Sequence, residues 1–259
     1  MSWNLGGYNV DKVLHYFEGV SQDRGHGLHS ALILCLQELC VREETSPGTE
    51  AARNTRESPH WRITYHRAAG AWRGVGILVR KREEVVWGAQ RRGQHYIQQN
   101  LDVNGTRWRI TSAHLPCTAR LLETGDVLDA WAEALAPHPG WHHLFGADLN
   151  ETFTREDQGN AVAHTARGSL VLQTLAAAGL QLCVDDGGQP SYHPYNLRVR
   201  PRRLDYLAVD GQGRGWVGVD HRHEVQSDHD PVGIAVGSGP SAGAQRLPLR
   251  RRGPLDPEE

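Results

Sequence analysis

Lysine is scarce in this sequence: Lys12 and Lys81 stand alone against 26 arginines. Arginine suits bidentate phosphate contacts, but a GC-rich coding sequence gives the same bias and is the plainer explanation. An excess of one charge is also missing. The 28 basic residues face 30 acidic ones, a formal net charge of −2, so no global positive field draws in a polyanion. No apolar run approaches the ~18–20 residues that span a bilayer, and the N-terminus has no basic segment leading into an apolar one. These absences argue against a membrane or secreted protein and lead to the expectation of an intracellular one, cytoplasmic or nuclear. Cysteine is sparse too: Cys35, Cys40, Cys117 and Cys183 form no C-x-x-C pair and sit mostly in apolar contexts. Reduced, buried thiols are expected.

What is present suffices for a large core. The chain has 259 residues, 39% of them hydrophobic, which excludes collagen, a coiled coil and wholesale disorder. Short β-like runs recur at 31–36, 61–66, 75–81, 96–103, 107–113, 142–146, 180–184, 203–209, 215–219 and 231–236. Helical patterns cover 10–19, 119–136 and 168–178, the last ending at Gly179, a natural C-cap. Asn104-Gly105 between two strand runs predicts a two-residue hairpin, because a type I′ turn needs positive φ at both centres. Residues 42–58 read as a long polar surface loop. The tail, 238–259, holds four prolines, three glycines and Arg250-Arg251-Arg252 and is expected to be disordered. Residues 1–237 therefore read as one domain, with strands and helices interleaved throughout.

The informative residues are polar groups at the ends of apolar strands, where a scaffold holds convergent groups rigidly. In chain order they are Asn4, Glu38, His114, Asp148 with Asn150, Asp205, and Asp228 with His229. Each has a bland explanation taken alone. Glu38, after Leu-Ile-Leu-Cys-Leu-Gln, could open a helix as a macrodipole partner. Asp148-Leu149-Asn150 could be an Asx turn closing a strand. Ser227-Asp228-His229-Asp230-Pro231 could be a plain loop. Asp205 is harder to dismiss, because it sits within a strand pattern, between Leu204 and Tyr206.

Taken together and in this order, the pieces resemble the endonuclease/exonuclease/phosphatase superfamily. That is the fold of deoxyribonuclease I, apurinic/apyrimidinic endonucleases, retrotransposon endonuclease domains, deadenylases, sphingomyelinases and inositol-polyphosphate 5-phosphatases. The matching segments are Trp3-Asn4, Gln37-Glu38, the strand from Gly74 to Val79, His114-Leu115, Gly146 to Asn150, Arg203 to Tyr206 and Ser227 to His229. They span residues 2 to about 236. The resemblance implies an α/β sandwich of four layers, α/β/β/α, with two packed and mostly antiparallel sheets between flanking helices. It departs from that pattern at two places. The chain starts two residues before Trp3, leaving little of the strand that carries Asn4; a lost upstream segment and a fragment of a longer polyprotein both account for this. Gly6 also stands where apurinic/apyrimidinic endonucleases carry a carboxylate.

Phosphodiester hydrolysis needs an attacking water, charge relief on the phosphoryl oxygens and help for the leaving oxyanion. Magnesium suits this chemistry because it takes oxygen ligands and keeps several waters. The resemblance implies Mg²⁺, with Mn²⁺ as a substitute, held by Glu38 with Asn4 and Asp228. It makes Asp148 the base for the attacking water and Asn150 its neighbour on the phosphate or water. His229 becomes a phosphate donor oriented by Asp205, and His114 a phosphate or leaving-group contact. His114 followed by Leu115 is closer to deoxyribonuclease I, deadenylases and sphingomyelinases than to apurinic/apyrimidinic endonucleases and many retrotransposon enzymes, which carry a tyrosine there. The run containing Arg198, Arg200, Arg202 and Arg203 leads into Asp205, and these four arginines are candidates for a nucleic-acid backbone. Trp72-Arg73 and Arg91-Arg92 read as ordinary surface, as do His221 and His223. Tyr192 reads as packing.

The leading expectation is a Mg²⁺-dependent phosphodiester hydrolase, a monomeric nuclease that cleaves DNA or RNA, is not membrane-bound and derives from a retrotransposon endonuclease. The alternatives are a phosphatase or phosphodiesterase acting on a lipid or inositol phosphate, and a non-catalytic mobile-element remnant.

Overall fold

The fold is seen in a computed structural model, which describes residues 1–22, 32–41, 54–67, 73–156, 160–184, 189–196, 198–210, 217–219 and 227–234. Strand alternation builds the first sheet. In β1 (Ser2–Asn4), Trp3 packs toward helix α1 (Val10–Gln22) while Ser2 and Asn4 point the other way, and all three are buried. In α1, Val10, Val13, Leu14 and Phe17 recur at helical spacing and seal that outer face. β1 is short but interior: it runs parallel to β2 (Ile33–Leu39) and antiparallel to β15 (Val232–Ile234). β3 (Thr55–Glu57), β4 (Trp61–His66), β5 (Gly74–Arg80) and β14 (Val217–Val219) complete a seven-stranded sheet in the order β14-β15-β1-β2-β5-β4-β3.

The second sheet has six strands. β6 (Val85–Gly93), β7 (Tyr96–Val103), β8 (Thr106–His114), β9 (His142–Asp148), β12 (Leu180–Cys183) and β13 (Asp205–Asp210) run in the order β12-β13-β9-β8-β7-β6. Its outer face packs on α2 (Leu121–Leu135) and α3 (Ala166–Ala177) around Trp131, Phe145 and Tyr206. Cys35, Val75, Ile77, Ile110, Leu144 and Leu207 fill the space between the sheets. This is the expected four-layer α/β/β/α sandwich. A small hairpin of β10 (Phe153–Arg155) and β11 (Ala161–Ala163) stands apart.

Gly146 sets how closely the sheets approach. A Cβ there would lie 2.6 Å from Cys35 Cβ on the facing strand, a distance that side chains do not tolerate. The β7–β8 hairpin turns at Asn104 and Gly105 with φ of 53° and 76°, as the dipeptide demands. Gly179 closes α3 with φ 72°.

Several expectations are corrected. The loop placed at 42–58 contains β3, a short edge strand. β6 escaped detection because its outward half is polar and arginine-rich. The strand begun at 203 begins at Asp205, so Asp205 opens its strand rather than interrupting one. Of the cysteines, Cys35 is buried but Cys117 is exposed; all four are free thiols. The tail, Trp72, His221 and His223 lie outside the described residues.

Candidate active site

The inter-sheet face of the second sheet changes from apolar to polar along its strands. Val209, Leu144 and Ile110 belong to the inter-sheet core; the next positions outward are Leu207, Gly146 and Ser112. Two residues further on, the register places Asp205 beside Asp148 and Asp148 beside His114. Period-two alternation therefore lines up three candidate residues in one row on adjacent strands.

The first sheet supplies the opposing groups. Asn4 Nδ2 donates to Asp148 Oδ2 at 2.7 Å, while Asn4 Oδ1 accepts the Gly6 N–H at 2.9 Å. His229 Nδ1 lies 2.6 Å from Asp205 Oδ2. Its backbone is tied down as well, since the Trp3 indole donates to His229 O at 2.9 Å. Asp148 Oδ1 accepts the Asn150 N–H at 2.9 Å, so the Asx turn is present and holds the two candidate residues together. Asn150 has φ 49°, and its Nδ2 donates to Leu115 O at 2.9 Å and lies 3.5 Å from His114 Nε2.

Glu38 reaches this row because β2 carries a bulge. Leu36 pairs with Gly76 but Leu39 pairs with Gly74, so β2 holds one extra residue between them, and Glu38 has φ 53°. Without the bulge Glu38 would follow Leu34 and Leu36 onto the α1 face; with it, Leu39 takes that place. Glu38 Oε1 then stands 3.6 Å from His114 Nε2, and Asp148 Oδ2 is 4.0 Å from the same nitrogen.

Three contributors were not anticipated. Arg73, taken for surface, forms an ion pair with Glu38 through Nη1 and Oε2. Ser191, fully buried, donates its hydroxyl to Asp205 Oδ2 at 2.8 Å and accepts the Leu204 and Asp205 N–H groups at 3.0 Å each. Glu151 pairs with Arg167 at 3.1 Å while Arg167 donates to Leu149 O at 3.3 Å, which clamps the Asp148–Asn150 turn onto α3. The adjacency of Arg73 to the Gly74 strand and of Ser191 to Tyr192 was the available signal. Tyr192, read as packing, bridges both Arg202 and His229, its ring centroid 4.9 Å from the imidazole.

The four candidate arginines divide. Arg198, Arg200 and Arg202 are exposed on the loop that follows Tyr192. Arg203 is buried and donates to Asp205 O at 2.8 Å and Gln189 O at 3.1 Å, so it is a scaffold residue rather than a rim contact. Asp228 stands beside the site, its carboxylate facing Gly6, but it is not among the described His and carboxylate groups close enough to share an ion. Those groups are Glu38 with His114 and Asp148, and Asp148 with Asp205 and His229, each set within 4.8 Å.

Charge within the site is unbalanced. Burial and then the neighbouring Asp205 charge push Asp148 up to about 7, against the pull of His229 and the hydrogen bonds from Asn4 and Asn150. Burial would lower His229, but Asp205, through its charge and hydrogen bond, together with Asp148 and Asp228 raises it to about 9. His114 falls to about 4, through burial first and then the positive neighbours His95 and His229. At neutral pH His229 is thus an imidazolium and His114 is neutral. Two buried carboxylates face one buried cation, and Asp205 Oδ1 is buried without a hydrogen-bond partner. Hard oxygen donors, one of them a buried carboxylate oxygen without a partner, fit a divalent metal ion, whose charge would offset the repulsion that raises Asp148.

Comparison with solved structures places this architecture. The endonuclease domain of TRAS1, a telomere-specific non-LTR retrotransposon, superposes with a TM-score of 0.60 at 15% identity, covering 91% of this chain and 97% of that domain. An endonuclease/exonuclease/phosphatase protein from Bacteroides vulgatus gives 0.56 at 10% identity, covering 91% and 97%. The chain has the endonuclease/exonuclease/phosphatase fold. Within that fold, the Bacteroides thetaiotaomicron mannosyl-6-phosphatase Bt3783 gives 0.55 at 10% identity, covering 91% and 98%. No protein-family model matches the chain. In sequence it is 33% identical over 67 residues to the RNA-directed DNA polymerase from mobile element jockey of Drosophila funebris, 26% of this chain and 7% of that protein. The match thus spans under a tenth of that curated relative's length.

Proposed function

We propose that the chain is a divalent-metal-dependent phosphodiester hydrolase that cleaves nucleic acid, with residues 1–237 as its catalytic unit. The observation that carries this reading is the row Asp205–Asp148–His114 closed by Asn4, Glu38 and the Asp205–His229 pair. These groups suit phosphoryl transfer. His229, charged at neutral pH and fixed through Nδ1, offers its Nε2–H to a phosphate oxygen. Asp148 is oriented by Asn4 and by the Asn150 N–H; with its proton affinity near neutrality, it takes a proton from an attacking water. His114, neutral beside Asn150, lies where it can contact the phosphate or the leaving oxygen.

Glu38, beside His114 and Asp148, is the residue that would hold the metal, which we take to be Mg²⁺ with Mn²⁺ as a substitute. Asn4 supports the site by fixing Asp148 rather than as a ligand. The ion supplies Lewis-acid relief of phosphoryl charge. The likeness to TRAS1 and to the jockey protein favours a nucleic-acid substrate and a mobile-element origin, with Arg198, Arg200 and Arg202 lying along the phosphate backbone. No helix among the described residues is long and apolar enough to cross a membrane.

The test is a substrate panel of duplex DNA, single-stranded DNA, RNA, inositol phosphates and sphingomyelin, with Mg²⁺ and with EDTA. Nucleic-acid cleavage that EDTA abolishes is expected. Cleavage that survives chelation, or activity confined to the lipid or inositol phosphates, overturns the reading.

A further inference from the structure

Arg73 stands among residues that sequence reasoning assigned to a metal ion. Its guanidinium is paired with Glu38. Gly7, with φ 95°, lies beneath it, so that a Cβ at that position would touch Cζ, Nε and Nη2 at 3.7 Å each. Burial lowers the guanidinium's proton affinity and the Asp228 charge pulls it back up, so Asp228 is within electrostatic reach. Asn4, two residues before Gly6, hydrogen-bonds the Gly6 N–H at the start of the same turn. Arg73 is thus the cation paired with Glu38, with the Asp228 charge in electrostatic reach.

The pair is accessible. Side-chain exposure is 25% for Arg73 and 22% for Glu38, so both groups face the crevice rather than the core. Arg73 immediately precedes β5 at Gly74, which fixes its backbone beside the site. A divalent ion approaching Glu38 meets a like charge already on that carboxylate, and the two repel at short range. A guanidinium displaced from a carboxylate retains a planar fork of donors that matches a phosphate equally well.

We propose that Arg73 governs both metal and substrate affinity: it occupies Glu38 in the metal-free protein, yields that carboxylate to the divalent ion, and then binds the substrate phosphate. The proposal rests on the hydrolase reading above. It gives the site a sequence of occupation, since phosphate finds a free guanidinium only after metal has arrived.

The experiment is titration of the metal-free protein with Mn²⁺, read by the electron paramagnetic resonance of the free ion, on wild type, Arg73→Ala and Glu38→Gln. Arg73→Gln serves if circular dichroism shows Arg73→Ala unfolded. Removing a competing charge at such a distance strengthens cation binding by about tenfold or more, while Glu38→Gln weakens it. At saturating Mn²⁺, kcat/KM of the Arg73 variant on DNA falls by about tenfold or more, as expected for one lost charge-assisted hydrogen bond. Unchanged or weaker Mn²⁺ binding by the Arg73 variant overturns the competition. Tighter binding with unchanged kcat/KM overturns the phosphate role. If wild type and variant alike bind no Mn²⁺, the metal reading of the site falls, and this proposal with it.

Discussion

His229 Nδ1 lies 2.6 Å from Asp205 Oδ2, and that same carboxylate oxygen accepts the Ser191 hydroxyl at 2.8 Å. The imidazole is thereby fixed in tautomer, orientation and charge before any substrate arrives. His229→Ala and Asp148→Asn are each expected to lower kcat by about 10²–10⁴-fold, the first as a lost donor to the charge on the phosphate and the second as a lost proton-transfer group. Ser191→Ala acts through Asp205, so its loss is smaller and comes with a displaced alkaline limb of the pH profile. Steady-state kinetics across pH distinguishes the two cases; a His229→Ala variant with near-normal kcat refutes the assignment.

The same pair makes stability pH-dependent. His229 is raised to about 9, so its contribution is complete below its ordinary value of 6.5 and is lost as pH climbs through about 9. Asp148, raised to about 7, acts in the same direction at lower pH: its contribution is complete below 3.8 and is lost as pH climbs through about 7. In EDTA, urea denaturation should show the unfolding free energy falling between pH 6.5 and 9 by on the order of 2–3 kcal/mol. His229→Gln should flatten the curve above pH 7.

Two glycines test sheet spacing and helix propensity separately. Gly146→Ala presses a methyl group against Cys35 and is expected to cost about 1–3 kcal/mol by urea denaturation. Gly125→Ala in α2 meets nothing within 4 Å and removes a helix-interior glycine, so it should stabilise by about 0.5–1 kcal/mol.

The arginines at the rim should behave as two classes. Arg198→Ala and Arg200→Ala are expected to weaken DNA binding evenly across sequences and to lower the salt slope by about one each. Arg203→Ala, which strips hydrogen bonds from buried carbonyls, should cost about 2 kcal/mol or more of stability instead. Filter binding at several salt concentrations together with thermal denaturation tests both halves.

Much of this site was readable before the fold was known, because strand alternation carries the information. Asp148 and Asp205 continue the faces of Leu144 and Leu207 by a period of two, and a polar residue at the next step of an apolar face must leave the core. What resisted reading depended on departures from that period. Glu38 owes its direction to a bulge and a positive φ, and no spacing rule marks either. Ser191 and Arg73 act on Asp205 and Glu38 from other parts of the chain, and beyond their adjacency to Tyr192 and to the Gly74 strand nothing in the sequence marked those contacts. Arg203 looked like its neighbours in the loop, but it lies where the chain turns inward.

The strand β15 returns from the far end of the chain to lie against β1, so the Trp3 indole grips the His229 carbonyl across 226 positions. If His229 binds phosphate as proposed, a chain stopped before residue 229 lacks both that imidazole and the strand that pairs with β1, and is expected to cleave nothing.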